Sequence, residues 1–308
     1  MKIREASYKN VPAIKVETEK LEALFLPEYG GKCTSLKDKK NGREFLQQAP
    51  GAHYKKLAYD GNYVEAECSG FDDMFPTIDR CYYSRYPWQG IEIPDHGEVC
   101  ALAWRYEAEK DRLCMRTQSP RFGYCLEKRI SNRDDAISID YQATNTTQFE
   151  LDFVYAAHCM IAAEEGGKII LPGVKDGEKA SLVFCSDKNR GKYGSPFIWK
   201  ENERGAAVTP GPETKESYKF FFDEPRREGC CEYRYADGTL LVMSYSGDKL
   251  PYLGIWINWN DLHDFFNIAF EPSSGSFDRP DAARMWGQFS VLAPYGVYEW
   301  NITFALGS

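Results

Sequence analysis

The stretch VYEWNITFA, residues 297–305, alternates without a break: Tyr298, Trp300, Ile302 and Phe304 against Glu299, Asn301 and Thr303. Successive side chains of a strand point to opposite faces, so this period of two writes one buried face and one wetter face. AISIDYQA (136–143) repeats the pattern with Ile137, Ile139 and Tyr141 against Ser138, Asp140 and Gln142. LEALFLP (21–27), KIILPG (168–173), SLVFC (181–185) and TLLVMSY (239–245) read as further short strands, separated by the Gly, Pro, Asn and Asp clusters that hairpins need. Helical spacing is scarce. REFLQQA (43–49) and PDAARMW (280–286) each predict a turn or two of helix, and the polar, Gly/Pro-rich 199–217 predicts a long surface loop. Many short strands with few helices predict an all-β chain, a large antiparallel β-sandwich. All-β chains of 308 residues are often one unit, so the expectation is a single domain over 1–308.

Charge and cysteines narrow the function. Thirty-eight Lys and Arg against 46 Asp and Glu leave a net charge of −8. There is no basic run to track a phosphate backbone, which argues against nucleic acid and anionic membrane surfaces as partners. None of the 10 cysteines forms C-x-x-C, so neither a zinc spacing nor a small disulfide framework is visible. The opening MKIREASYKN has no apolar signal core, and no apolar stretch is long enough to cross a bilayer. The expectation is a cytoplasmic protein with reduced cysteines, no metal and no cofactor. The 45 aromatic residues (20 Tyr, 18 Phe, 7 Trp) suit strands, and they also suit flat apolar ligand faces.

Four histidines occur, at 53, 96, 158 and 263. His96 lies in IPDHGEV, a turn; His158 ends the apolar run of LDFVYAAHCM. GFDDMFPTID places Asp72 and Asp73 side by side. On an extended chain these two point oppositely, so at most one faces a common pocket. FNIAFEPSSG brings Glu271 to the end of a strand-like run, where a rigid strand would aim the carboxylate and a turn would leave it open.

Taken in order, LFLPEYGGKCTSLKDKKNGREFL (24–46), GFDDMFPTI (70–78), DHGEV (95–99), AAH (156–158), LGIWIN (253–258) and IAFEPSSG (268–275) resemble the aldose 1-epimerase, or galactose mutarotase-like, family from about residue 20 to the end. The resemblance implies a large antiparallel β-sandwich with a hexose cleft and interconversion of sugar anomers without a cofactor. It implies Glu271 as base, His158 as acid and His96 as a second histidine on the ring-oxygen side. Asp72, Asp73, Arg80, Arg85 and Trp256 are the candidate substrate contacts: the carboxylates and arginines for hydroxyls or a phosphate, the indole for stacking on a sugar. On the resemblance, His158 needs a nearby carboxylate to stay protonated. The expected partner is a small carbohydrate, and the chain a monomer or homodimer. Three other readings stand beside this one: the same chemistry on a hexose 6-phosphate, a sugar-binding protein without catalysis, and a hydrolase or lyase using Asp73 with Glu271.

Overall fold

The computed structural model describes residues 1–200 and 206–307. Nearly all of its regular structure is antiparallel strand, as the alternation requires. The first large sheet has eleven strands: Lys2–Tyr8, Val11–Glu17, Leu21–Leu26, Lys32–Asp38, Phe71–Met74, Ala156–Ala162, Phe266–Ser273, Tyr252–Trp259, Glu216–Phe222, Lys179–Cys185 and Pro196–Ile198, in spatial order. The second has nine, with Val297–Leu306 at its middle between Leu240–Tyr245 and Ala136–Asn145. Two-residue turns close hairpins at Lys9-Asn10 and Asp134-Asp135, all four residues at positive φ, which matches the twist of paired strands.

The sheets face one another across a shared apolar core. Phe71 of the first meets Phe304 of the second at 5.6 Å between ring centroids, and Tyr155 meets Trp300 at 4.4 Å. Trp300, Ile302 and Phe304 are buried here, the face that the alternation in 297–305 predicts.

Two local expectations are corrected. Residues 43–49 form no helix. Lys37 bridges Glu44 and Leu46 bridges Ile161, Phe45 N–H donates to the Leu36 carbonyl, and Gln47 N–H donates to that of Met160. Phe45 and Leu46 are both buried, so the segment is held extended between two strands, and that pairing overrides its helix propensity. Within 199–217, Ala206–Val208 is a strand paired to Lys168–Ile170, and the Glu216–Phe222 strand begins before the segment ends. Residues 201–205 lie outside the described residues. Of the two segments with helical spacing, 280–286 does form a helix, Pro280–Met285, with proline in its first turn.

Candidate active site

Three adjacent strands put the chemistry in one row. In the Ala156–Ala162 strand, His158 pairs in register with Asp72 on one side. On the other side the Ala156–Ser273 and Cys159–Phe270 pairs bracket it, bringing it level with Glu271. Alternation then divides each strand. Phe71, Cys159, Ile268 and Phe270 enter the main core; Asp72, His158 and Glu271 take the opposite face. Two small apolar clusters flank the row on that face, one around Met74, Ala156 and Phe221, the other around Met160, Phe265 and Ala269.

The row opens on a cavity of about 220 Å³ whose wall includes His158, Glu271, His96, Tyr63, Trp256 and Lys219. His158 Nε2 is 3.9 Å from Glu271 Oε1. Glu271 is not at the strand end that the sequence suggested: the strand runs on through Pro272 to Ser273, and the carboxylate is 1% exposed. Its other oxygen lies 2.6 Å from Lys219 Nζ, which also lies 2.8 Å from Asp278 Oδ1.

His96 reaches the cavity from a loop. Its backbone has φ 62°, its N–H donates to the Ile78 carbonyl, and Nδ1 is 3.1 Å from Asp95 Oδ1. Gly97, next in the chain, is required by close approach: a Cβ there would lie 2.4 Å from the Phe75 carbonyl oxygen. The glycine of DHGEV thus lets the loop lie against the end of the Phe71–Met74 strand.

Tyr63 ties the two histidines together. Its ring stacks on His96, and its hydroxyl donates to Asp72 Oδ2 at 2.7 Å, which is also 2.6 Å from Lys32 Nζ. With its proton committed to Asp72, the Tyr63 oxygen accepts from His158 Nδ1–H at 3.2 Å. That assigns the tautomer: in neutral His158, Nε2 carries the lone pair, toward Glu271.

Burial acts on both members of the pair. It pushes His158 well below its ordinary pKa, helped by the charges of His96, Lys219 and Lys32. It pushes Glu271 up; Lys219 opposes this and Asp278 adds to it. The expected carboxylate-raised histidine is therefore corrected: desolvation and the neighbouring cations lower the His158 pKa. Asp79, on the wall near Asp278, is pushed up to about 6 by burial and by that neighbouring charge.

Four candidate contacts lie outside the cavity wall, Asp72 among them, its buried carboxylate held by Lys32 and the Tyr63 hydroxyl. Asp73 points between the sheets, bound to Lys128 Nζ at 2.7 Å and to the Tyr155 hydroxyl at 2.8 Å. It shares no cavity with Glu271, so the two-carboxylate hydrolase reading loses its geometry. Arg80 pairs with Glu92, and Arg85 with Asp152 and Glu150, outside the cavity wall. Trp256 does line the cavity, its ring tilted 41° to that of Phe184 with centroids 5.4 Å apart. A register shift between Leu182 and Phe184 turns both Val183 and Phe184 toward that space.

Lys219, Asp278, Tyr63 and His263 are wall residues that sequence reasoning did not select. Lys219 carried a signal: in ESYKFFF it alternates with Tyr218, Phe220 and Phe222 and shares a face with the fully buried Ser217 and Phe221. Tyr63 and Asp278 stand in loops, where no periodicity marks them. Among the described residues no group of three or more His, Cys, Asp or Glu is placed to hold a metal ion, and no helix is long and apolar enough to cross a membrane.

No protein-family model and no curated protein matches this chain by sequence. Solved structures do match by shape. Slr1438 from Synechocystis superposes with a TM-score of 0.70 at 14% identity, over 98% of each chain. A galactose mutarotase related enzyme from Lactobacillus acidophilus gives 0.68 at 11%, over 96% of this chain and 97% of that one. A galactose mutarotase-like protein from Clostridium acetobutylicum gives 0.64 at 15%, over 100% and 99%. At such identities the likeness speaks for architecture, and it does so end to end: this chain has the fold of the galactose mutarotase-like proteins.

Proposed function

We propose that this protein is an aldose 1-epimerase acting on a neutral aldose, with Glu271 as base, His158 as acid and His96 beside the ring oxygen. The observation that carries the reading is the pairing of His158 Nε2 with Glu271 Oε1, 3.9 Å apart on the wall of a small-molecule cavity. Interconversion of anomers needs a proton removed from the C1 hydroxyl and one delivered to the ring oxygen. Glu271 takes the first while protonated His158 gives the second, and the ring opens to an aldehyde. Rotation about C1–C2 presents the other carbonyl face. On closure both transfers reverse: the hydroxyl attacks, His158 recovers its proton and Glu271 returns its own.

The pair thus cycles between ionised Glu271 with protonated His158 and protonated Glu271 with neutral His158. Burial brings these states together, since it raises the acid of ordinary pKa about 4.3 and lowers that of about 6.5. The reaction asks nothing of a metal or an organic cofactor.

A neutral sugar is favoured over a 6-phosphate by the charges present. Lys219, the one lysine or arginine among the described wall residues, is held by two carboxylates, and Arg80 and Arg85 are paired outside. Tyr63, Trp256 and Phe184 supply the flat surfaces on which a sugar ring packs. We further read 1–308 as one domain, because both large sheets contribute to a single apolar core.

The test is exchange NMR or polarimetry over a panel of free and 6-phosphorylated aldoses. Catalysed exchange of free aldoses is the expected result. Binding without exchange would leave a sugar-binding protein, and exchange confined to phosphorylated sugars would overturn the neutral-substrate reading.

A further inference from the structure

The proton shuttle accounts for Glu271 and His158 but not for Lys219, a buried ammonium 2.6 Å from one carboxylate and 2.8 Å from another. The fold makes room for this bridge. Lys219 stands two strands from Glu271, and the strand between them carries Gly254, paired with Glu271 on one side and Phe221 on the other. A Cβ on Gly254 would come within 3.3 Å of Glu271 Cβ and 3.0 Å of the Phe221 ring. Asp278 is fastened from the opposite direction. Its carbonyl accepts from the Ile78 and Asp79 N–H groups at 2.9 Å and from the Thr77 hydroxyl at 3.1 Å, and its φ is 60°.

Resting on the reading of Glu271 as base, we propose that Lys219 is a positioning residue that keeps Glu271 ionised and aimed, and that Asp278 sets how strongly it does so. A carboxylate as buried as Glu271 would otherwise take up a proton and lose its use as a base. An ammonium held by Glu271 alone would err the other way and leave a weak base. Sharing it with Asp278 sets the balance. When Glu271 accepts the C1 hydroxyl proton, the trio passes from one net negative charge to none, and Lys219 keeps Asp278 as its counter-ion. No stage leaves a buried ammonium unpaired.

The same bridge bears on the open-chain aldehyde released beside it. Burial alone would favour the free amine, but Asp278 and Glu271 outweigh it and hold the Lys219 pKa above its ordinary value. Lys219 therefore stays an ammonium, without the lone pair that imine formation needs. The charged and titratable groups facing Glu271 are Lys219 from Glu216–Phe222, His158 from Ala156–Ala162, and Asp278, Asp79 and His96 from the surrounding loops; the intervening Tyr252–Trp259 strand lines the cavity with Trp256 and Asn258, neither of them titratable.

The experiment compares Lys219→Met and Asp278→Asn with the wild-type protein by two readouts: carbon-13 NMR titration of the Glu271 carboxyl, and the pH profile of kcat/KM for anomer exchange. Loss of the cation should move the Glu271 titration and the rate profile to higher pH, by about 1–3 pH units for a charge at contact distance. Loss of the Asp278 charge should move both lower. A residue that serves only packing would give no such opposed pair. Glu271 titrations that stay in place, or move together in both variants, overturn the proposal. Should Lys219→Met fail to fold, Asp278→Asn alone decides, an unmoved titration being the adverse result. A titration that moves as expected while the rate profile does not would retain the counter-ion and remove Glu271 from the base role. Borohydride added during turnover should leave Lys219 unmodified; a secondary amine joining it to the sugar would overturn its assignment as a fixed ammonium.

Discussion

The Tyr63 ring lies flat on the His96 imidazole, with centroids 3.7 Å apart and planes within 7° of parallel. Its hydroxyl meanwhile joins Asp72 to His158. One loop side chain thus orients both histidines, by its face and by its edge. Tyr63→Phe separates the two functions. The stack should survive, while His158 Nδ1 and Asp72 Oδ2 each lose a buried partner, which costs about 1–3 kcal/mol of stability. With the tautomer no longer enforced, kcat should fall about tenfold or more with KM little changed. Steady-state exchange rates and thermal unfolding check this; an unchanged kcat would show that the hydroxyl does not position His158.

Glu271→Gln keeps the shape of the wall and removes the base. Sugar binding by calorimetry should persist, and exchange should fall by about 10²–10⁴-fold. Wild-type turnover in this variant would place the base elsewhere.

Two pH effects follow from burial of His158. Exchange needs one proton on the Glu271–His158 pair, so kcat/KM should fall at high pH as the pair empties and at low pH as it fills twice. Stability has its own sign. The folded pKa of His158 lies below the unfolded value of about 6.5, so below that pH the unfolded chain binds a proton that the folded chain refuses. His158 should therefore weaken the fold as pH drops through 6.5 toward its folded pKa, by at most about 1.4 kcal/mol per pH unit. Denaturant midpoints of wild type and His158→Gln, measured from pH 7.5 to 5, should diverge in that direction; parallel lines would count against a neutral buried imidazole.

Asp73 supplies the contrast. Asp73→Asn leaves Lys128 buried without its carboxylate between the sheets, and breaking such a pair costs about 3–5 kcal/mol. The folded fraction should retain its exchange rate. A selective loss of kcat at full stability would restore Asp73 to the site.

Treatment with EDTA should leave exchange intact, since the proposed steps use only side-chain protons. Loss of rate restored by added metal would contradict that scheme.

Many of the strands were legible because alternation marks one face apolar, whereas Glu271 and His158 were singled out by the order of motifs that resembles the mutarotase-like family, and nothing local placed Asp72 in line with them. Lys219 escaped because lysine on a strand is ordinarily solvated; its burial depends on Gly254 and Asp278, distant in sequence. Tyr63 escaped because the loop holding it folds back by contacts that no local pattern encodes. Arg80 and Arg85 misled by proximity. They follow Asp72 closely in the chain, but carboxylates away from the cavity claim both: Glu92 for Arg80, and Glu150 with the buried Asp152 for Arg85.

Adjacent strands sit about 4.8 Å apart because backbone hydrogen bonds demand it. His158 and Glu271 inherit their spacing from that ladder, whereas Tyr63, His96, His263 and Asp278 come from loops. Because Asp278 and Tyr63 act on Glu271 and His158, reshaping those loops would disturb the proton exchange together with the sugars accepted, so an engineer seeking altered selectivity would start from the strand-borne Trp256 and Phe184 of the wall.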